Sequence, residues 1–565
     1  MPGRTGVTTW AFSLVCFLCS LPQAWAAPAA PEFRGLRLGE AAPEQVVQAL
    51  GQPKYGDPRT DETVMYDALR AGHLDALTFA GEPRRLVLVE AATIPPDMES
   101  GEAILARLGE PEYELALGRQ TMYEYTRQGF RLWVENEAGR TVGGVLFAPQ
   151  EYPRVPAAEQ RRVVVPALPP TSPGEPAVFR VGLASRLITP PQEWLAEVGY
   201  EKVHDDLEVR CVAIASGGRT VALLAGDIFV YTAYEIAPIQ EGARAAGIDY
   251  LLFASTHTHS APDCVGLDRP RPDRYNAFIQ REALACIQEA KARLAPAAIE
   301  VAQVELLLEG GRIATISRNW RDPGIVYPYL TVLRFLAAEG AKQPLGTLVH
   351  FTCHPERLMG YQRAISADWV RPLRERVEAA LGGMCLFFNG PLGGMVSPDG
   401  LPGSDPFEDT GRIGEWIGNR AVEAVRSGCS PITQGQIEFR TRPLLIPVVS
   451  QKLLERMRPG RIQSQLIRGS HPTEVGRLDI GELQMLAVPG ELLPDLAFRA
   501  QVHMTGKYNV IVGLANDESG YIVPAWDFHV GAYEEDTAMG PSAAPQIMGA
   551  IEELLACRWW PRPRL

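Results

Sequence analysis

The chain has 565 residues, 46% of them hydrophobic and 21% charged, with a formal net charge of −13. That length predicts two or three domains, with ample apolar material for a core. The negative charge, with no basic tract to offset it, argues against nucleic acid or an anionic membrane surface as a partner.

Residues 1–26 read as a secretory signal peptide. Arg4 supplies the positive start, Trp10–Leu21 is largely apolar, and Ala24-Trp25-Ala26 makes a small-x-small cleavage site. The apolar stretch is too short to span a bilayer. No small residue precedes Cys16 or Cys19, so a lipid anchor is not expected. The mature chain is therefore expected to be exported, to the periplasm or beyond, with no transmembrane segment. It would keep Cys211, Cys264, Cys286, Cys353, Cys385, Cys429 and Cys557. An odd number leaves at least one unpaired. Export permits a disulfide, while apolar surroundings suit buried free thiols. With no CxxC pair, thiolate zinc is not favoured.

Residues 33–150 carry a tandem repeat. PEQVVQALGQPKY (43–55) recurs as GEAILARLGEPEY (101–113), with Leu50, Gly51, Pro53 and Tyr55 matching Leu108, Gly109, Pro111 and Tyr113. Each copy predicts an amphipathic helix stopped by Gly and Pro. Strand-like segments follow, VMYDA (64–68) in one copy and TMYEYT (121–126) in the other. In the second copy 131–147 reads as a hairpin around Ala138-Gly139. These two small α+β units resemble the helix-plus-hairpin modules of bacterial envelope proteins, of the SmpA/OmlA and beta-lactamase-inhibitor-protein type. They hold no catalytic cluster. A folded spacer and a module binding an envelope partner are both open.

Residues 151–177 form a linker, Pro-rich at 165–176 and expected to be extended. From 178 to 560 the pattern becomes α/β. Segments 221–230, 250–256, 345–354, 385–390, 483–491 and 509–517 read as buried strands. Stretches such as 277–294 between them have helical spacing. The expected architecture is a large mixed sheet flanked by helices, with both faces covered.

Several strand exits carry groups able to bind a metal. STHTHSAPD (255–263) offers His257 and His259, two residues apart, so that strand alternation would aim both imidazoles at one point. HFTCHPE (350–356) offers His354, with His350 reading as a buried structural histidine. VPGE (488–491) offers Glu491, and ANDESGYI (515–522) offers Tyr521. Zinc takes three or four such N and O donors and keeps a position for water. The ends of buried strands are where α/β proteins place ligand sites.

These segments occur in chain order with RVGLASRLITPP (180–191), VHDDLEVRC (203–211), LLAGDIFV (223–230), ISADW (365–369) and VSPDG (396–400). The set resembles the catalytic domain of the neutral ceramidases, secreted zinc amidases that cleave the N-acyl bond of ceramide. The resemblance covers roughly residues 178–555. It implies Zn2+ held by His257, His354, Glu491 and Tyr521. It implies an acid–base role for His259, with Arg318 and Tyr533 facing the reacting carbonyl. Asp227, Asp263 and Asp368 are candidates by position to orient the ligand histidines.

The implied activity is amide hydrolysis of a ceramide-like lipid by a zinc-activated water. One departure stands out: Met395 occupies the place of the aspartate in the family's Gly-Asp-Val-Ser-Pro, which leaves any role of Ser397 open. Two other readings remain. One is a zinc hydrolase of another N-acyl or ester compound; the other is a non-catalytic envelope scaffold whose working part is the tandem repeat.

Overall fold

The computed structural model describes residues 31–147 and 179–555 apart from short internal stretches, the longest being 307–315 and 399–404. The expected signal peptide and linker, the hairpin tip at Ala138 and Cys557 lie outside the described residues.

Both repeat copies begin as the pattern predicts. Helices Pro43–Leu50 and Gly101–Leu108 end at Gly51 and Gly109, with φ of +83° and +79°. Each glycine N–H donates to the carbonyl four residues back, a left-handed stop that L side chains resist. The strands that follow join one antiparallel sheet of seven. Its order is 63–67, 74–80, 85–91, 141–147, 130–135, 120–125 and 113–117. The copies meet where Arg85–Ala91 pairs with Thr141–Phe147. Each copy alone would leave an open edge there, and pairing the two edges satisfies both. Val46, Leu77, Val89, Ile104, Leu132 and Leu146 fill their common core.

The C-terminal unit is built on a nine-stranded mixed sheet. Along it run strands 250–255, 219–226, 208–216, 179–187, 295–305, 329–337, 344–351 and 384–389, with the short strand Ser430–Pro431 beside 295–305. The outermost pair at each end is parallel and the inner pairs are antiparallel. One face packs on helices: Ala233–Ala245 and Asp273–Ala292 cover one half, Val370–Leu381 and Pro406–Ser427 the other. The opposite face packs on a second, four-stranded sheet of 437–447, 470–480, 483–487 and 508–512. Both faces are thus buried, one of them by strands rather than helices. This is why the strands read as unbroken apolar runs.

The second sheet also closes the first. Edge strands Tyr250–Ser255 and Met384–Asn389 lie at opposite ends of the strand order. Strand Tyr508–Val512 and the turn after it bridge them. Gly513 donates to the Asn389 carbonyl at 3.0 Å, and Asn516 donates to the Phe253 carbonyl at 2.9 Å. His350 Nε2 lies 2.8 Å from the Ile511 carbonyl, so this histidine is a structural tie within the core. Burial depresses its pKa to about 4, which keeps it neutral.

Among the described residues there is no disulfide, and five of the six cysteines are buried. No described helix is long and apolar enough to cross a membrane.

Asp227 follows strand Arg219–Gly226 and is fully buried. It receives both Arg374 guanidinium nitrogens at 3.0 and 2.8 Å, the Glu208 N–H at 2.9 Å and Thr256 Oγ1 at 3.3 Å. Arg374→Met would strand this carboxylate in the core at a cost of about 3–5 kcal/mol. Chemical denaturation should show that loss, and an unchanged midpoint would contradict it.

Candidate metal centre

Four strand exits open at one end of the packed sheets and supply the site. The strand carrying His257 and His259 ends at Ser255, so neither histidine is held by strand alternation. A turn brings them together instead. The His257 N–H donates to the Ile228 carbonyl at 3.0 Å and that of His259 to the Pro355 carbonyl at 2.9 Å. His257 has φ +71°, a left-handed conformation uncommon outside glycine. Such strain persists only where the surroundings over-determine it, and it gathers at functional sites. The two rings lie 4.8 Å apart, edge to face.

His354 follows strand Pro344–Phe351, and its N–H donates to the Val396 carbonyl at 2.8 Å. Its ring lies 5.2 Å from that of His257 and 5.8 Å from that of His259. Glu491 follows strand Leu483–Ala487 through the turn Pro489-Gly490. It pairs in parallel register with Tyr521, which places both side chains on one face. Gly490 has φ +147°, and a Cβ there would sit 2.6 Å from the Gly520 carbonyl oxygen. Only glycine fits that corner.

Ring orientation is set by main chain. Phe229 O lies 2.7 Å from His257 Nδ1, and Val396 O lies 3.0 Å from His354 Nδ1. Both Nε2 atoms therefore face Glu491, that of His354 at 2.9 Å and that of His257 at 3.6 Å. The three aspartates expected to orient these rings do other work. Asp227 holds Arg374. Asp263 accepts five backbone N–H groups of its own loop, from residues 265–269. Asp368 accepts the N–H groups of Leu358 and Trp369. A carbonyl orients an imidazole as well as a carboxylate does, and no sequence signal marks it.

Charge in the cluster is uneven. Burial opposes a charge on His354, but the Glu491 hydrogen bond and charge outweigh it and push the imidazole up to about 9. Burial would raise Glu491, and His257 and His354 instead hold it below the usual carboxylate range. His259 is driven well down, first by burial and then by the other two histidines. Its Nε2 is buried without a hydrogen-bond partner among the described residues. Burial and Glu491 push the Tyr521 hydroxyl well up. That hydroxyl shares a hydrogen bond with Glu491 and lies 3.0 Å from Met395 Sδ.

The donor set fits a divalent ion of zinc type. One nitrogen from each of His257, His259 and His354 lies within 4.8 Å of the other two. A carboxylate and a phenol adjoin them, and one ring nitrogen is buried with nothing to bind.

Arg318 and Tyr533 stand apart from this group. Arg318 is exposed, with its guanidinium 4.2 Å over the Trp320 ring. Its strand pairs it with Ser397, whose hydroxyl donates to Glu356. Tyr533 is 61% exposed, with its ring 6.1 Å from that of Tyr521. Sequence reasoning passed over Glu356 and Glu518. Glu356 lies 3.9 Å from His259 Nδ1. Glu518 is buried and pushed well up by burial, Glu491 and Asp517. The available signal was proximity in sequence: Glu356 stands two residues after His354.

A cavity opens to the surface beside the cluster. His257, His259, Glu491 and Tyr521 line its floor, and Tyr533 stands on its wall. Val265, Leu267, Leu453, Met457, Ile462 and Met539 make the rest largely apolar.

No protein-family model matches the chain, and no curated protein matches it. The similar solved structures include two ceramidases. Neutral ceramidase from Pseudomonas aeruginosa superposes with a TM-score of 0.55 at 18% identity, over 69% of this chain and 76% of that one. A ceramidase complexed with C2 gives 0.56 at 17%, over 69% and 77%. Over that share of its length the chain has the fold of these proteins.

Gly490→Ala should displace Glu491 and lower stability by roughly 1–3 kcal/mol, the usual range for one strained residue. A denaturation midpoint equal to that of the parent chain would refute that reading of the corner.

Proposed function

We propose that the chain is a zinc-dependent amidohydrolase acting on a lipid with an N-acyl bond, of the ceramidase kind. The observation that carries this is the convergence of three imidazoles, a carboxylate and a phenol, four of these five groups lining an apolar cavity. The likeness of the fold to two ceramidases supports the same reaction class. His257, His354, Glu491 and Tyr521 would hold the ion, which supplies Lewis acidity toward the acyl carbonyl and lowers the pKa of a water.

The chain's own residues do the rest. Burial and the neighbouring imidazoles disfavour a charge on His259, so it can accept a proton from the attacking water and return it to the leaving amine. Its acceptor is Nε2, the atom without a partner among the described residues. Tyr533 and Arg318 would donate to the oxyanion as it forms, worth about 3 kcal/mol per donor. The apolar wall would take an acyl chain, at about 0.8 kcal/mol per buried methylene. Export fits a signal-peptide-like start and a substrate met outside the cytoplasm, and a partner in the envelope could dock on the repeat sheet.

Elemental analysis of the purified protein should find about one zinc per chain, the complement expected of a mononuclear catalytic site. The same protein should release fatty acid from a fluorescent N-acyl sphingosine. Protein free of metal, or inert toward amides and active on esters, would remove the amidase assignment. His354→Ala should lose the ion. His259→Ala should keep it and slow turnover by about 10²–10⁴. Loss of metal in His259→Ala would make that histidine a ligand instead.

A further inference from the structure

The repeat sheet does not sit beside the C-terminal unit as a loose spacer. Met65, Leu74 and Ala76 of its strands form a closed apolar cluster with Ala525, all four buried. Ala525 opens the one-turn helix Ala525–Asp527, which packs on strands 74–80, 85–91 and 141–147 of the repeat sheet. A buried ion group fastens the same seam. Arg499 of helix Pro494–Gln501 reaches Glu90 of the repeat sheet at 2.5 Å and Glu552 at 2.9 Å. All three side chains are fully or almost fully buried.

On its other side the same turn meets Arg321. This guanidinium donates to the Asp527 carboxylate at 2.9 Å and to the Asp527 carbonyl at 2.5 Å. It also donates to Glu535 at 2.7 Å and to Glu534. Glu534 and Glu535 belong to the short helix Tyr533–Thr537. Its far end is tied separately, with Asp536 receiving Ser450 Oγ on its carbonyl and Lys452 Nζ on its carboxylate, at 3.0 and 3.2 Å. The Arg321 N–H lies 3.2 Å from the Gly394 carbonyl, one residue before the Met395 that meets Tyr521.

Tyr533 itself is largely exposed, so its own packing cannot fix it over the site. Its two buried neighbours can. Gly520, Tyr521, Tyr533, Thr537 and Met539 all line the cavity, and the turn Ala525–Asp527 lies between Tyr521 and Tyr533 in the chain. A 1 Å error at a reacting group costs about 10²-fold in rate.

We propose that the repeat sheet is a positioning element for the site: it fixes the turn Ala525–Asp527, and Arg321 carries that constraint to Tyr533. Arg321 is then a positioning residue that never touches substrate. The consequence for turnover rests on Tyr533 facing the substrate; the mechanical coupling does not.

The test uses the full chain in four forms: parent, Ala76→Phe, Glu90→Gln and Arg321→Lys. Ala76→Phe forces bulk into the seam, and Glu90→Gln weakens the seam without changing its shape. Arg321→Lys keeps the charge but loses the fork. Hydrogen exchange by mass spectrometry would follow residues 520–539, alongside metal content and kcat and KM on the fluorescent N-acyl sphingosine.

Each variant should exchange faster across 520–539 than the parent while its metal content stays level. The loss in kcat/KM should approach 10²-fold in Ala76→Phe and be smaller in the other two. Parent-like exchange across 520–539 in a variant whose strands 63–80 exchange faster would overturn the proposal. If Ala76→Phe does not fold, Glu90→Gln decides by the same comparison, and parent-like exchange across 520–539 in Arg321→Lys would overturn the role of Arg321. A parent protein inert toward the amide would sink the functional reading, while the exchange data would still decide the coupling.

Discussion

Strand Tyr508–Val512 and the turn after it hold the C-terminal unit in register. They join edge strands that the sheet order places far apart, through Gly513 to Asn389 and Asn516 to Phe253. These are backbone groups in a dry interior, where leaving a donor unpaired costs about 1–3 kcal/mol. The closure is therefore hard to relax. Each residue of the cluster follows a strand that this closure brings together, so its geometry follows from the packing of two sheets.

Within that frame the cluster concentrates polar groups where solvent cannot compensate them. Main-chain carbonyls turn two imidazoles toward Glu491. His354 and Glu491 form a buried hydrogen-bonded pair, while burial and the two neighbouring imidazoles disfavour a charge on His259. Such a pair contributes little to stability against an apolar replacement, because desolvation opposes the attraction. Retaining three histidines and a carboxylate at this depth makes sense when a cation is to be bound and a proton moved. The strained His257 backbone points the same way, since nothing about packing alone asks for a left-handed histidine.

Met395 sets the surroundings of Tyr521. Its thioether lies beside the Tyr521 hydroxyl. The phenol is left with Glu491 as its strong partner. Ser397 is drawn instead to Glu356, which lies near His259. Arg318 stays outside the cavity lining, stacked on Trp320.

The sequence by itself determined the existence of both units, the two glycine-stopped repeat helices, the apolar strands and the residues of the cluster. Those features are local: a 3.6-residue or 2-residue period, or a polar group ending an apolar run, is written in consecutive positions. What orients His257 and His354 is a carbonyl supplied by a distant segment, and every residue type has one, so composition cannot report it. The joining of both repeats into one sheet, the cover of strands over the second face, and the seam from Ala76 through Ala525 to Arg321 are equally non-local. They depend on which buried surfaces meet. Only the packed tertiary structure decided that, because edge pairing and burial are settled between segments hundreds of residues apart.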